Sequence, residues 1–148
     1  MAPPHSLEEL PRPALTADVV AVAGARGAER VLLIQRANEP FAGSWALPGG
    51  FVDEREPVEA AARRELREET GLGVEALEQL GTYDTPGRDP RGWTVSVVYI
   101  ARLEAEASVA GGDDAAQAGW FPLDALPQLA FDHATIIADV RRRLAERQ

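Results

Sequence analysis

The chain has no cysteine and no lysine. Without cysteine there is no disulfide framework, zinc–thiolate centre or thiol nucleophile, which fits a reducing cytoplasm. All fifteen basic residues are arginines, set against 24 acids for a net charge of −9. That balance argues against a nucleic-acid surface, since the sequence offers no basic stripe beyond Arg141, Arg142 and Arg143. Long hydrophobic runs are missing too: stretches such as residues 31–34 are far too short to span a bilayer. Residues 1–13 carry prolines and acids where a signal peptide would have a basic segment and an apolar run. What remains is a 148-residue acidic chain, 45% hydrophobic and 26% charged, the profile of one globular domain with its own core. Such a protein can still bind a small polyanion, and it would then want metal ions between its carboxylates and the ligand.

Residues 1–14 read as an irregular lead-in and 15–148 as a single domain. Dense Val, Leu and Ile over residues 15–24 and 30–36, around the turn-like Ala25 to Gly27, predict a hairpin. Residues 41–52 read as a glycine-rich loop or short strand, and 57–70 as a helix opened by Pro57 and stopped by Gly71. Strands are expected at 80–83, 94–103 and 119–123, loops at 85–92 and 109–116, and an amphipathic helix at 134–146. Mixed strands flanked by helices predict an α/β or α+β sandwich.

The stretch "RELREET" at residues 64–70 packs three glutamates and two arginines into seven positions. At about 100° per residue, Val58, Ala61, Ala62 and Glu65 follow the rhythm of a buried stripe, and Glu68 and Glu69 continue it. Glu59, Arg63 and Arg67 already supply a solvent face. A charged helix is usually just solvated, but these carboxylates lie in line with the inward residues. Like charges gathered at a core edge need a counter-charge. An all-oxygen cluster suits a hard divalent cation, with Arg64 four residues before Glu68 as a brace.

From Gly50 the sequence reads GFVDEREPVEAAARRELREETGL. It resembles the Nudix box: Gly50, five residues, Glu56, seven residues, then Arg64, Glu65, Leu66, Arg67, Glu68, Glu69, Thr70, Gly71 and Leu72. A chance match at a given start is on the order of one in 10⁸, which sets aside the plain solvated helix. The lead-in from Gly43 to Gly50 is similar to the family's as well. The resemblance implies an α/β/α sandwich with a mixed central sheet and metal-dependent hydrolysis of a nucleoside diphosphate linked to another group. It implies magnesium, with manganese possible, held by Glu65, Glu68, Glu69 and the Gly49 carbonyl with Glu56 in support. Arg64 joins Glu65, Glu68 and Glu69 as the catalytic set. The general base is Glu65 or a loop acid, Asp113 or Asp114, whose ordinary reading is an acidic turn.

The segment from Thr82 to Trp93 resembles one in ADP-ribose pyrophosphatases and in Nudix-related regulators of NAD metabolism, as do Gly112 to Ala116, Trp120 to Leu123 and Leu129 to His133. Gln117 departs from the glutamate expected there. Arg36, Arg88 and Arg91 are the cations suited to phosphates or a terminal ribose, and the turn residues of 85–92 are expected to aim Arg88 and Arg91 away from the sheet. Trp45, Tyr83 and Trp93 are the candidate adenine stackers, although a tryptophan near a strand is more often core. Asp114 completes the substrate-binding set, and His133 is expected to cap or pack the last helix.

The expected substrate is ADP-ribose. The enzymatic alternative is another nucleotide: a nucleoside triphosphate, NADH, a dinucleoside polyphosphate or a sugar nucleotide. A different class is an ADP-ribose sensor without turnover. Regulators of that kind carry a DNA-binding domain after the Nudix domain, and the expectation here, from the last helix near Gln148 and the acidic charge, is that none follows. A homodimer is expected, with residues 95–100 as one candidate interface strand. No nucleic-acid or membrane partner is expected.

Overall fold

The computed structural model describes residues 6–112 and 115–146. After a 3₁₀ turn at Leu7–Glu9 come β1 (Ala14–Ala23), β2 (Arg30–Arg36), β3 (Trp45–Ala46), β4 (Gly49–Phe51), α1 (Val58–Thr70), β5 (Glu78–Tyr83), β6 (Thr94–Leu103), β7 (Ala115–Pro122) and α2 (His133–Glu146). The seven strands form one mixed sheet in the order β3-β2-β1-β6-β5, with β4 also on β1 and β7 also on β2. The β1–β6 pairing is parallel and runs the full length of both strands. The expected hairpin forms, with Val22 opposite Val31 and Ala23 opposite Arg30.

Strand alternation places a helix on each face of the sheet. Ala17, Val19, Ala21, Leu32, Tyr99 and Ala101 point one way and pack on Ala61, Ala62 and Leu66 of α1. Val20, Val22, Val31, Leu33, Val98 and Ile100 point the other way and pack on Ile136, Ile137 and Val140 of α2. This is the α/β/α sandwich. Alanines at 61 and 62 bring the α1 backbone close to β1. Gly71 ends α1 at φ 80°, donating its N–H to the Arg67 carbonyl, a left-handed conformation that favours glycine.

Two expectations about elements change. Strand β7 begins at Ala115, four residues ahead of the expected 119, because its pairing with β2 reaches Arg36. Strand β6 lies between β1 and β5 with Val98 and Ile100 buried, so residues 95–100 form an interior strand with no free edge.

Candidate active site

The helix face decides which glutamates turn inward. On α1, Ala61, Ala62, Leu66, Glu69 and Thr70 are buried. Glu69 falls roughly 20° from Val58 on the helical wheel, whereas Glu68 falls roughly 80° away, on the edge opposite Leu66. Accordingly Glu69 is 7% exposed, while the Glu68 side chain is 41% exposed. The continuous inward stripe expected for all three glutamates therefore holds for Glu69 and the half-buried Glu65, and Glu68 sits at the rim.

Arg64 does more than brace one carboxylate. Its guanidinium donates to both oxygens of Glu56 (2.8 and 3.0 Å), to Glu65 (2.9 Å), to Glu68 (3.2 Å) and to the Phe51 carbonyl (3.1 Å). The Arg64 bonds, helped by the Asp53 N–H, hold the Glu56 carboxyl down at about 2. Those same bonds to Glu56 and Glu65 raise the already basic guanidinium further.

Strand β4 brings the backbone against these acids. Glu69 accepts the Gly49 N–H at 2.8 Å. N–H and C=O of one strand residue point to the same edge, so the Gly49 carbonyl also faces the α1 carboxylates. A Cβ on Gly50 would lie 2.6 Å from Cδ of Glu65, the movable end of a side chain, whereas one on Gly49 would overlap the Asp18 carboxylate and the Ala17 carbonyl, so glycine is required by the backbone at Gly49.

The donors fit a hard divalent cation in kind, since every one is an oxygen. Among the described residues no three such side chains already converge as a metal site. Arg64, standing between Glu56, Glu65 and Glu68, is the counter-charge there. Both Glu56 oxygens are engaged by Arg64, and Asp53 N–H adds to one of them, so Glu56 acts as a strut for the arginine more naturally than as a ligand.

Glu65, Glu69, Gly49 and Gly50 line a cleft of about 370 Å³ together with Arg36, Arg88, Arg91 and Phe131. Its floor is a polar network on the α2 side. Arg88 donates to both oxygens of Asp132 (2.9 and 2.7 Å), to Ser96 (2.7 Å) and to Thr94 (3.2 Å), and Thr16 and Ser96 share a short hydroxyl contact. Asp18 is buried beside them, and burial pushes its carboxyl up to about 7 against the pull of Arg88. His133 is buried too; its Nδ1 accepts the Leu47 N–H at 3.0 Å, and burial pushes the imidazole down to about 4.

Several expected roles change. The 85–92 loop has the anticipated turns, with Arg88 N–H on Thr85 and Gly92 N–H on Asp89. Yet Arg88 turns inward, its side chain 6% exposed, because Asp132 and the hydroxyls supply acceptors beneath the sheet end. Arg91 stays at the rim, bound to the buried Asp89 (2.8 and 3.1 Å). Burial alone would raise the Asp89 carboxyl, but the Arg91 bonds bring it below its ordinary value. Trp45 packs edge-to-face on Phe121 in the α2-side core, and Tyr83 gives its hydroxyl to Asp139 at 2.6 Å. Neither lines the cleft, and nor does the exposed Trp93. Arg36 does, with its Nε on the Pro40 carbonyl. Asp113 and Asp114 lie outside the described residues. Gln117 pairs with Gln35 at the surface.

The sequence reading missed Asp18, Asp89, Asp132 and the cleft phenylalanines. Asp18 left a signal, as the one charge within the apolar run 15–23. Asp132 left only the resemblance of residues 129–133, which gives it no role, since only folding brings it to Arg88.

A NUDIX domain model matches residues 12–140. The chain belongs to the Nudix family. An ADP-ribose pyrophosphatase of Methanocaldococcus jannaschii is 50% identical over 113 residues, covering 76% of this chain and 66% of its own. The ADPR responsive transcriptional repressor NtrR of Acinetobacter baylyi is 36% identical, covering 95% of this chain and 58% of its own. The chain thus spans about two thirds or less of these curated relatives. Among solved structures, the NUDIX domain of Shewanella oneidensis NrtR complexed with ADP ribose superposes with a TM-score of 0.86 at 36% identity, covering 95% of this chain and 94% of that one.

Proposed function

We propose that this protein is a metal-dependent pyrophosphohydrolase that splits ADP-ribose into AMP and ribose 5-phosphate. The observation that carries the reading is one cleft lined both by Glu65, Glu69 and the Gly49–Gly50 backbone and by Arg36, Arg88 and Arg91. The 50% identity to an ADP-ribose pyrophosphatase supports the choice of substrate.

Glu65, Glu68, Glu69 and the Gly49 carbonyl would hold a divalent cation, magnesium or alternatively manganese. Bound there, it would neutralise the pyrophosphate and lower the pKa of a water. Glu56 orients Arg64, and Arg64 holds Glu65 and Glu68 in place until the charge they face is replaced. Glu65, in the cleft wall, accepts the proton of the attacking water, with Asp113 or Asp114 as the alternative base. Water adds to one phosphorus and the bridging P–O bond breaks, leaving one phosphate on each product. Arg36 and Arg91 face the phosphates and the terminal ribose. Arg88 is committed to Asp132 and Ser96, so it shapes the floor.

The test is a nucleotide panel with magnesium or manganese. AMP and ribose 5-phosphate from ADP-ribose, faster than from NADH, nucleoside triphosphates or dinucleoside polyphosphates, is the expected result. Faster turnover of another nucleotide moves the substrate. A second reading, ADP-ribose sensing without turnover, is favoured by the similarity to the repressor, and product release by the purified protein removes it. A homodimer, to be checked by light scattering, and a cytoplasmic location, suggested by the cysteine-free composition, complete the reading.

A further inference from the structure

Two of the three glutamates in residues 64–70 stand where a helix least favours them. Glu68 and Glu69 lie in the last turn of α1, whose partial negative charge repels carboxylates, so that turn gains most from ties outside the helix. The connection from β6 to β7 supplies them. Its Ala107 carbonyl accepts the Trp120 Nε1–H at 2.9 Å, and Ala107 and Val109 pack into the α1-side core. The Ala110 N–H donates to the Thr70 carbonyl at 3.2 Å, and the Gly112 carbonyl accepts the Ala115 N–H at 2.9 Å. Thr70 Oγ1 takes the Leu72 N–H at 3.1 Å, the donor that would have continued the helix onto the Glu68 carbonyl. That carbonyl faces Gly112 instead: a Cβ there would lie 2.6 Å from its oxygen. Gly112 does not hold a left-handed φ, so its backbone admits other residues and only this close approach calls for glycine.

We infer that residues 107–112 are a positioning strap, and that Gly112, resting on the Glu68 carbonyl, sets where the last turn of α1 presents Glu68 and Glu69. The inference rests on the reading that these carboxylates hold a divalent cation. Glu65, Glu68 and Glu69 repel one another and push the helix end outward. Arg64 offsets their charge, and the strap restrains the backbone that carries them. The contact at Gly112 is main chain on main chain, with no side chain between to absorb a displacement. A shift of the strap therefore passes directly to Glu68. Ligand constellations tolerate roughly 0.5 Å of error, so a displaced turn weakens the site. Gly112 holds no ligand itself; it is a positioning residue.

Manganese binding to the metal-free protein is measured by calorimetry, without substrate, for wild type, Gly112→Ala, Trp120→Phe and Gly73→Ala. Gly73, just beyond α1, has nothing within 4 Å of a Cβ and is the control. Gly112→Ala is expected to weaken manganese roughly tenfold, as loss of an orienting contact does. Trp120→Phe keeps an aromatic ring and removes the hydrogen bond to Ala107, so it should weaken the metal less and in the same direction. It decides the matter if the Gly112 variant does not fold. A merely structural glycine would lower the urea midpoint and leave the manganese affinity unchanged. Unchanged affinity in the folded variants, or an equal loss in Gly73→Ala, overturns the strap. Failure to hydrolyse ADP-ribose with the Gly112 loss intact overturns the proposed activity and leaves the strap standing. A wild type that binds no manganese removes the metal site on which both rest.

Discussion

Arg64 grips Glu56 through two hydrogen bonds, Nε to Oε2 at 2.8 Å and Nη2 to Oε1 at 3.0 Å, and so fixes the guanidinium that holds Glu65 and Glu68. Glu65, which lines the cleft, and Glu68, at its rim, are thus oriented by a carboxylate outside the cleft lining.

Glu56→Gln should therefore act at a distance. Loss of an orienting partner typically weakens metal binding about ten- to a hundredfold. The check is the magnesium or manganese concentration giving half of the maximal rise in Tm, since binding to the native state stabilises it by mass action. An unchanged midpoint would mean that Arg64 needs no strut.

Gly49 and Gly50 should respond differently to alanine. At Gly50 the new methyl meets the end of the Glu65 side chain, which can swing away, so turnover should collapse while stability changes little. At Gly49 it meets backbone, the Ala17 carbonyl and the Asp18 Cα at 2.8 Å, and overpacking there should cost about 1–3 kcal/mol. Urea unfolding beside steady-state kinetics separates the two, and matching profiles would refute the assignment.

Glu69→Gln should abolish most of the hydrolysis while leaving the metal-free protein as stable as before or slightly more so, because one charge leaves a crowded set of carboxylates. The amide oxygen can still accept the Gly49 N–H. Glu59→Gln is the control: its partner Arg63, at 3.1 Å, lies with it at the surface, and the change should stay within about 0.5 kcal/mol. Normal turnover by the Glu69 variant would end the metal-ligand reading.

His133 should give the protein an acid-sensitive joint. Nδ1 accepts from Leu47, so the native state needs the neutral ring. With the folded value at about 4, below the ordinary 6.5, the unfolded chain takes up the proton first as pH falls. Stability is thus unaffected above about pH 6.5 and lost between there and about pH 4, by about 3 kcal/mol in total. Asp18, raised to about 7, titrates in the opposite sense, so the quantity to follow is the difference between wild type and His133→Asn at each pH. That difference should narrow from pH 7 to 4.5; a constant gap would show that the histidine does not titrate.

Much of the frame was legible in the sequence because its signals are local. The β6 bounds at 94–103 match the expected ones, and α1 ends at Gly71 as its glycine required. The box spacing placed Glu65 and Glu69 on one helix edge by geometry alone. What only the tertiary structure decided is which groups meet across the sheet. Arg88 carries turn chemistry that reads as exposed, yet Asp132, 44 residues further on, draws it inward. Trp45 and Tyr83 have the chemistry of base stackers, but alternation turned them to the core, and Phe51 and Phe131 took the cleft. Periodicity along a chain orients side chains relative to their own helix or strand. It carries no information about which distant residue will stand opposite, and in this protein the cleft is made from those distant pairs.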